Sequence, residues 1–96
     1  KPDNLVINAP AGATAGPVAI TRERNANSAW YRLWVGAADL SRKDHYQWHE
    51  AETVCNVSTC SVDVTMPAGE GIIYLRAWGP AGMSSWFGSD PFTVGN

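Results

Sequence analysis

The sequence predicts an all-β protein, an antiparallel β-sandwich of six to seven short strands. Stretches in which apolar and polar residues alternate recur along the 96 residues, as they do when one face of each strand is buried. Turn segments rich in glycine, proline, asparagine or serine separate these stretches at roughly regular spacing. No stretch has a convincing helical period. We expect one domain over residues 1–96, with a modest core.

Four strands are predicted in the first half of the chain, over residues 5–8, 17–23, 30–35 and 42–50. In the second strand, Val18, Ile20 and Arg22 share one face. The fourth segment has two interpretations, because residues 42–50 alternate as an edge strand would, while residues 48–53 are compatible with one helical turn. We favour a strand followed by a turn.

Three more strands are predicted over residues 60–66, 72–78 and 90–94. The strands over residues 30–35 and 72–78, which we call the long strands, each have an apolar face that is expected to build the core: Tyr31, Leu33 and Val35 in one, and Ile73, Leu75 and Ala77 in the other. The opposite faces combine aromatic and basic side chains: Trp30, Arg32 and Trp34 in one, and Tyr74, Arg76 and Trp78 in the other. Because arginine is seldom fully buried unless paired, these second faces are expected to be the wetter ones.

The charge of the chain gives no general attraction to nucleic acid or to anionic membranes. The formal net charge is −2, and 17% of the residues are charged. We therefore expect neither nucleic acid nor a membrane as a partner, and any charged ligand must be bound by a local patch. No apolar run is long enough to span a bilayer, and no signal peptide is recognisable. Since the chain starts at Lys1, we expect a module processed or excised from a larger protein.

Cys55 and Cys60 are the only cysteines and are predicted to form a local disulfide. Their spacing does not fit a zinc ribbon or a redox Cys-x-x-Cys pair. Closing so short a loop contributes on the order of 2 kcal/mol, and such a bond does not persist in a reducing cytosol. The cysteines therefore predict a secreted, extracellular protein. The sequon that starts at Asn56 matters only in a host that glycosylates secreted proteins.

Three segments occur in an order that is typical of a known family. They are Tyr31-Arg32-Leu33-Trp34-Val35, then Leu75-Arg76-Ala77-Trp78-Gly79-Pro80-Ala81-Gly82 with Ser85-Trp86 after it, and finally Phe92-Thr93-Val94. This order resembles a bacterial fibronectin type III domain over most of the chain. The resemblance implies an immunoglobulin-like sandwich that serves as an accessory module beside catalytic or surface domains. Two positions depart from the family pattern, because Arg22 stands where a core Trp is usual and Gly71 where a Tyr is usual.

The resemblance also implies that the two long strands are neighbours, so that their outer side chains form one platform. The predicted carbohydrate-binding residues are Trp30, Arg32, Trp34, Trp48, Tyr74, Arg76 and Trp78. Aromatic rings stack on the apolar faces of sugars, and arginine side chains donate paired hydrogen bonds to hydroxyl, carboxylate or sulfate oxygens. We predict a non-catalytic carbohydrate-binding module that holds a parent enzyme or surface protein on a polysaccharide, with an acidic glycan favoured.

Two other functions are compatible with the same residues. The arginines can be sandwiched between rings in a structural cation–π ladder, as in the cytokine-receptor fibronectin domains that this face resembles, and the chain would then be a spacer without a ligand. The aromatic residues can also serve as a hot-spot cluster that binds a protein, as in an adhesin domain.

The aromatic residues outside the long strands include Tyr46, Trp48 and Trp86. Tyr46 and Trp48 lie on the predicted edge strand, and we expect only one of them, Trp48, to join the platform. Trp86 follows a loop and precedes Phe87, which predicts an anchor in the core.

The sequence gives no convincing metal or catalytic site, and no cofactor is expected. His45 and His49 have the spacing of zinc ligands on a helix, but there is no third histidine. We expect them along an exposed edge, where they gain positive charge near or below about pH 6.5. Glu50 and Asp63 are candidates for a carboxylate pair, although their spacing does not predict one. We expect no enzymatic activity.

Overall fold

The computed structural model describes residues 5–25 and 27–96, and it shows a sandwich of two β-sheets. The strands are β1 (Ile7–Asn8), β2 (Ala13–Thr14), β3 (Gly16–Glu23), β4 (Trp30–Ala37), β5 (Lys43–Glu50), β6 (Thr59–Met66), β7 (Gly69–Gly79), β8 (Gly82–Met83), β9 (Phe87–Gly88) and β10 (Phe92–Gly95). One helical turn, α1 (Ala51–Val54), joins β5 to β6. The predicted fold class is confirmed, and the prediction of a strand followed by a turn at residues 42–53 is confirmed as well.

The first sheet has the order β1-β3-β6, and the second has the order β2-β10-β7-β4-β5, with β8 and β9 also paired to β7. Among the described strands, β10 and β2 run parallel, and the other pairs are antiparallel. The two long strands, β4 and β7, are neighbours, as expected. This pairing places their outer side chains on one surface.

The core lies between the sheets and consists of the apolar faces of the strands. Both predicted core faces are confirmed, because their residues are buried: Tyr31, Leu33 and Val35 in β4, and Ile73, Leu75 and Ala77 in β7. The opposing sheet contributes Val18, Ile20 and Val64. Burying such side chains stabilises the fold by about 1.5–3 kcal/mol for each large one.

The core also contains an arginine. Arg22 lies on the inner side of β3 and is 1% exposed, with its guanidinium carbon 4.4 Å from the centroid of the Tyr31 ring. None of its three side-chain nitrogens has a hydrogen-bond partner among the described residues. Burial lowers the pKa of Arg22 to about 10, which leaves a positive charge in the core at neutral pH. Arginine therefore does not mark the wet face of β3, where the strand period places Arg22 on the same face as Val18 and Ile20.

The predicted disulfide between Cys55 and Cys60 is confirmed. Cys55 follows α1 directly, and Cys60 is fully buried in β6, so the bond ties the helical turn to the first sheet. A disulfide of this kind indicates an oxidising environment. Within the described part of the chain, no helix has the length and apolar character needed to cross a membrane.

Candidate functional site

The outer surface of β5, β4 and β7 collects the predicted binding residues. Strand β4 lies between the other two, and the register aligns its outer side chains with theirs. Three rows cross the strands: Glu50, Trp30 and Trp78; then Trp48, Arg32 and Arg76; then Tyr46, Trp34 and Tyr74. All seven predicted residues therefore lie on one surface, which we call the aromatic face.

Tyr46 belongs to the aromatic face together with Trp48. Both lie on β5, two residues apart, and side chains two apart in a strand point to the same side. The expectation that only one of them joins the platform is therefore wrong, and the period of a strand was the signal that should have found Tyr46. Its ring centroid lies 4.0 Å from the guanidinium carbon of Arg32.

Trp86 lies on the aromatic face and not in the core. It is 40% exposed, and the guanidinium carbon of Arg76 lies 5.1 Å from the centroid of its ring. Its ring centroid is 6.5 Å from that of Tyr46. The predicted core anchor is wrong for Trp86, because β9 pairs with β7 through Leu75 and Phe87, and Phe87 is the residue that packs against the core. Adjacent residues in extended backbone point in opposite directions, so Trp86 points outwards.

The side chains of the aromatic face enclose two open clefts. The larger has a volume of about 540 Å³ and is lined by Trp34, Leu40, Tyr46, Tyr74 and Trp86. The smaller has a volume of about 340 Å³ and is lined by Trp30, Trp48, Trp78 and Met83. All five tryptophans of the chain line one or the other cleft.

Exposed apolar area is concentrated on the aromatic face. Eight large apolar side chains are exposed in the described part of the chain, and six of them line the two clefts. The other two are Val6 and Val57. Contiguous exposed apolar surface of this kind usually marks an interaction site, because burying it against a partner is favourable.

Arg32 separates the two clefts. Its guanidinium carbon lies 4.0 Å from the ring centroid of Tyr46, in the larger cleft, and 5.5 Å from that of Trp48, in the smaller. Its Nε is buried and has no hydrogen-bond partner among the described residues. The rings hold the guanidinium by cation–π contact, which does not use its N–H groups.

Arg76 has a different environment from Arg32. Its Nε and Nη2 donate to the backbone carbonyl of Ser84 at 3.3 and 3.1 Å, and Trp86 covers it. The buried hydroxyl of Ser84 in turn accepts the backbone N–H of Ala77 at 2.9 Å. Arg76 therefore ties the segment before Trp86 to β7, and some of its donors are already used within the fold.

Two glycines allow aromatic rings to lie close to the sheet. A Cβ atom at Gly88 would lie 2.8 Å from the ring of Tyr74. One at Gly36 would overlap the backbone carbonyl of Arg42 and would lie 2.6 Å from the ring of Trp34. Any larger residue would push these rings away from the backbone. The glycines thus help to shape the larger cleft.

The basic charge on the aromatic face exceeds the acidic charge. Arg32 and Arg76 lie there. Lys43 pairs with Gly36 after a register shift, and its amine lies 5.7 Å from the ring centroid of Tyr46. Glu50 lies at the corner beside Trp30, and the carboxylate of Asp44 is paired with Arg42. Asp63 lies on β6, on the outer surface of the other sheet, so it does not pair with Glu50. The local balance is positive although the whole chain carries −2.

His45 and His49 lie on the inner side of β5, opposite Val35 and Tyr31 of β4. Their Nε2 atoms are 2.7 Å apart, so one ring donates a hydrogen bond to the other. Burial lowers the pKa of both imidazoles, and the charges of His45 and Arg22 lower the pKa of His49 further. The expectation of two exposed histidines that gain charge near pH 6.5 is therefore wrong. Among the described residues, no group of three or more His, Cys, Asp or Glu side chains is placed to hold a metal ion.

Comparison of the chain with protein-family models, with curated proteins and with solved structures found no match. The function of this chain is therefore inferred from the aromatic face and from the residues that form it.

Proposed function

We propose that this chain is a non-catalytic carbohydrate-binding module, with an acidic glycan as the favoured ligand. The observation that carries this proposal is the concentration of apolar surface on the aromatic face, where two clefts are lined by six of the eight large apolar side chains that are exposed among the described residues. Flat rings offer large contact area at a low cost in side-chain entropy, and they stack on the apolar faces of sugar rings.

The shape of the clefts suits weak binding to an extended chain. Their volumes of about 540 and 340 Å³ are in the range of ligand sites, but both clefts are open to solvent. An open site buries only part of each sugar, so we expect dissociation constants from micromolar to millimolar, about −4 to −8 kcal/mol. A module in a larger protein gains avidity when several copies or domains bind the same polymer.

The resemblance to fibronectin type III domains supports the role of an accessory module. Two mostly antiparallel sheets packed into a sandwich, with β4 and β7 adjacent, agree with what that resemblance implies. The disulfide agrees with secretion. In this proposal the module is extracellular and attaches a parent enzyme or surface protein to a polysaccharide.

Affinity electrophoresis tests the proposal, because weak multivalent binding still retards a protein in a gel that contains polysaccharide. The wild type is compared with Trp78→Ala in gels containing acidic or neutral polysaccharides. Trp78 is 43% exposed, so its truncation removes cleft surface with little loss of core packing. Val57→Ala is the matched control, because Val57 is exposed and lines neither cleft.

Retardation of the wild type and of Val57→Ala, lost in Trp78→Ala at an unchanged melting temperature, supports the proposal. Unchanged migration of the wild type in every gel refutes it. If the wild type does not bind and Trp78→Ala lowers stability by several kcal/mol, the face is a packed ladder and the chain is a spacer. If instead the wild type captures a protein partner through Trp78, the chain is an adhesin domain.

A further inference from the structure

We propose, on the basis of the carbohydrate-binding function inferred above, that one anionic glycan chain crosses both clefts and that Arg32 recognises its acidic group between them. The two clefts would then be subsites of a single site. This assigns the specificity for acidic sugars to Arg32 and not to Arg76.

The positions of the clefts along the strands lead to the first part of this proposal. Trp34 of the larger cleft and Trp30 of the smaller are four residues apart on β4, with Arg32 midway between them. At about 3.4 Å per residue, their Cα atoms are about 14 Å apart. A single sugar ring does not reach both tryptophans, whereas an oligosaccharide that lies along β4 contacts both and crosses Arg32.

The hydrogen bonds of Arg76 and Arg32 indicate which of the two recognises the acidic group. Arg76 donates from Nε and Nη2 to the carbonyl of Ser84, so some of its guanidinium N–H groups are already used. Arg32 makes no hydrogen bond or ion pair with any described residue, and its Nε is buried. A guanidinium that stacks on rings keeps its in-plane N–H groups free, and these match the two oxygens of a carboxylate or sulfate. The rings of Tyr46 and Trp48 also hold it in position before a ligand arrives.

The charge around Arg32 is complementary to an anion. The two ion pairs in the described part of the chain, Arg24 with Glu52 and Arg42 with Asp44, do not involve Arg32, Arg76 or Lys43. The nearest outward carboxylate, that of Glu50, is in the next row along the strands. An anionic sugar therefore gains an unneutralised cationic partner in the Nη groups of Arg32, whereas a neutral sugar brings no charge to pair with them.

A titration followed by tryptophan fluorescence tests this proposal, since all five tryptophans line the clefts. The probes are polygalacturonate, alginate, hyaluronan and chondroitin sulfate. Neutral controls are the same polymers after chemical reduction of their carboxyl groups, with the chondroitin sulfate also desulfated. The proteins are the wild type, Arg32→Gln, Arg32→Lys and Arg76→Gln.

We expect the wild type to bind at least one acidic polymer about tenfold or more tightly than its reduced form, as a charge-assisted fork implies. Arg32→Gln should lose this preference and keep binding to the reduced form, which shows that the face is still folded. Arg32→Lys should retain part of the preference, because the charge remains but the fork is lost. Arg76→Gln should retain all of it.

Equal affinity of the wild type for acidic and reduced polymers would overturn the role of Arg32 and leave the proposed function intact. A preference that Arg76→Gln abolishes and Arg32→Gln retains would also overturn it. Failure to bind any polymer in either form would refute the proposed function itself.

The length of the ligand is tested with fragments of the polymer that binds. If one chain spans both clefts, a hexasaccharide should bind at least tenfold more tightly than a disaccharide. Trp30→Ala should then weaken the binding of the hexasaccharide more than it weakens the binding of the disaccharide. Equal affinity for the two fragments would mean that a single cleft is sufficient.

Discussion

Replacing Arg22 by methionine should stabilise the protein. Arg22 is 1% exposed and has no hydrogen-bond partner among the described residues, and burial lowers its pKa to about 10. Since a pKa change of one corresponds to about 1.4 kcal/mol, this lowering corresponds to about 3 kcal/mol against the charged form in the folded state. The contact with Tyr31 at 4.4 Å offsets about 0.5–2 kcal/mol of that cost. We therefore expect a net gain of about 1–3 kcal/mol.

The assay is thermal unfolding of the wild type and Arg22→Met at neutral pH. Methionine is close to arginine in length and flexible, so it fills the space without a large cavity. A gain of this size raises the melting temperature of a domain of 60–100 residues by roughly 5–20 °C. Arg24→Met is the control, because it removes the same charge from an exposed pair with Glu52 that is worth about 0–1 kcal/mol.

A lower melting temperature for Arg22→Met than for the wild type would refute the argument, because it would mean that the guanidinium is satisfied in solution. Equal increases in Arg22→Met and Arg24→Met would also refute it, because the gain would then come from the change in net charge and not from removing a buried ion.

Two further predictions concern the aromatic face and the histidine pair. Gly88→Ala should lower the free energy of unfolding by about 1–3 kcal/mol, because the added methyl group would lie 2.8 Å from the Tyr74 ring. This loss should be smaller in a Tyr74→Ala background, and an equal loss in both backgrounds would contradict the contact. Because burial lowers the pKa of His49, the unfolded chain takes up a proton more readily than the folded protein. The free energy of unfolding therefore has its full value above about pH 6.5 and decreases as the pH falls below it. His49→Gln should flatten the change in melting temperature between about pH 5 and 6.5, and parallel curves for wild type and variant would disprove this cause.

Much of the aromatic face was predictable because strand geometry is local. The alternation in β4 and β7 separates Tyr31 from Trp30 and Ala77 from Trp78 without knowledge of the fold. The same rule applied to β5 would have placed Tyr46 beside Trp48. The position of Tyr46 on the aromatic face was therefore predictable from the sequence.

The direction of Trp86 and the depth to which Arg22 is buried were not predictable in the same way. The direction of Trp86 depends on the pairing of the two-residue strand β9 with β7, and so short a strand has no periodicity to detect. The burial of Arg22 depends on the opposite sheet, which places the Tyr31 ring over its guanidinium. General rules about arginine concern averages over proteins and do not decide what covers one side chain.

The fold class, the apolar faces of the long strands and the disulfide follow from local sequence, because they depend on the strand period and on short spacing along the chain. Long-range packing is what brings the aromatic residues together as two clefts, leaves Arg32 between them with unused donors, and ties Arg76 to Ser84. Contacts between strands distant in sequence determine the shape and free hydrogen-bonding groups of a site, and no local pattern encodes those contacts.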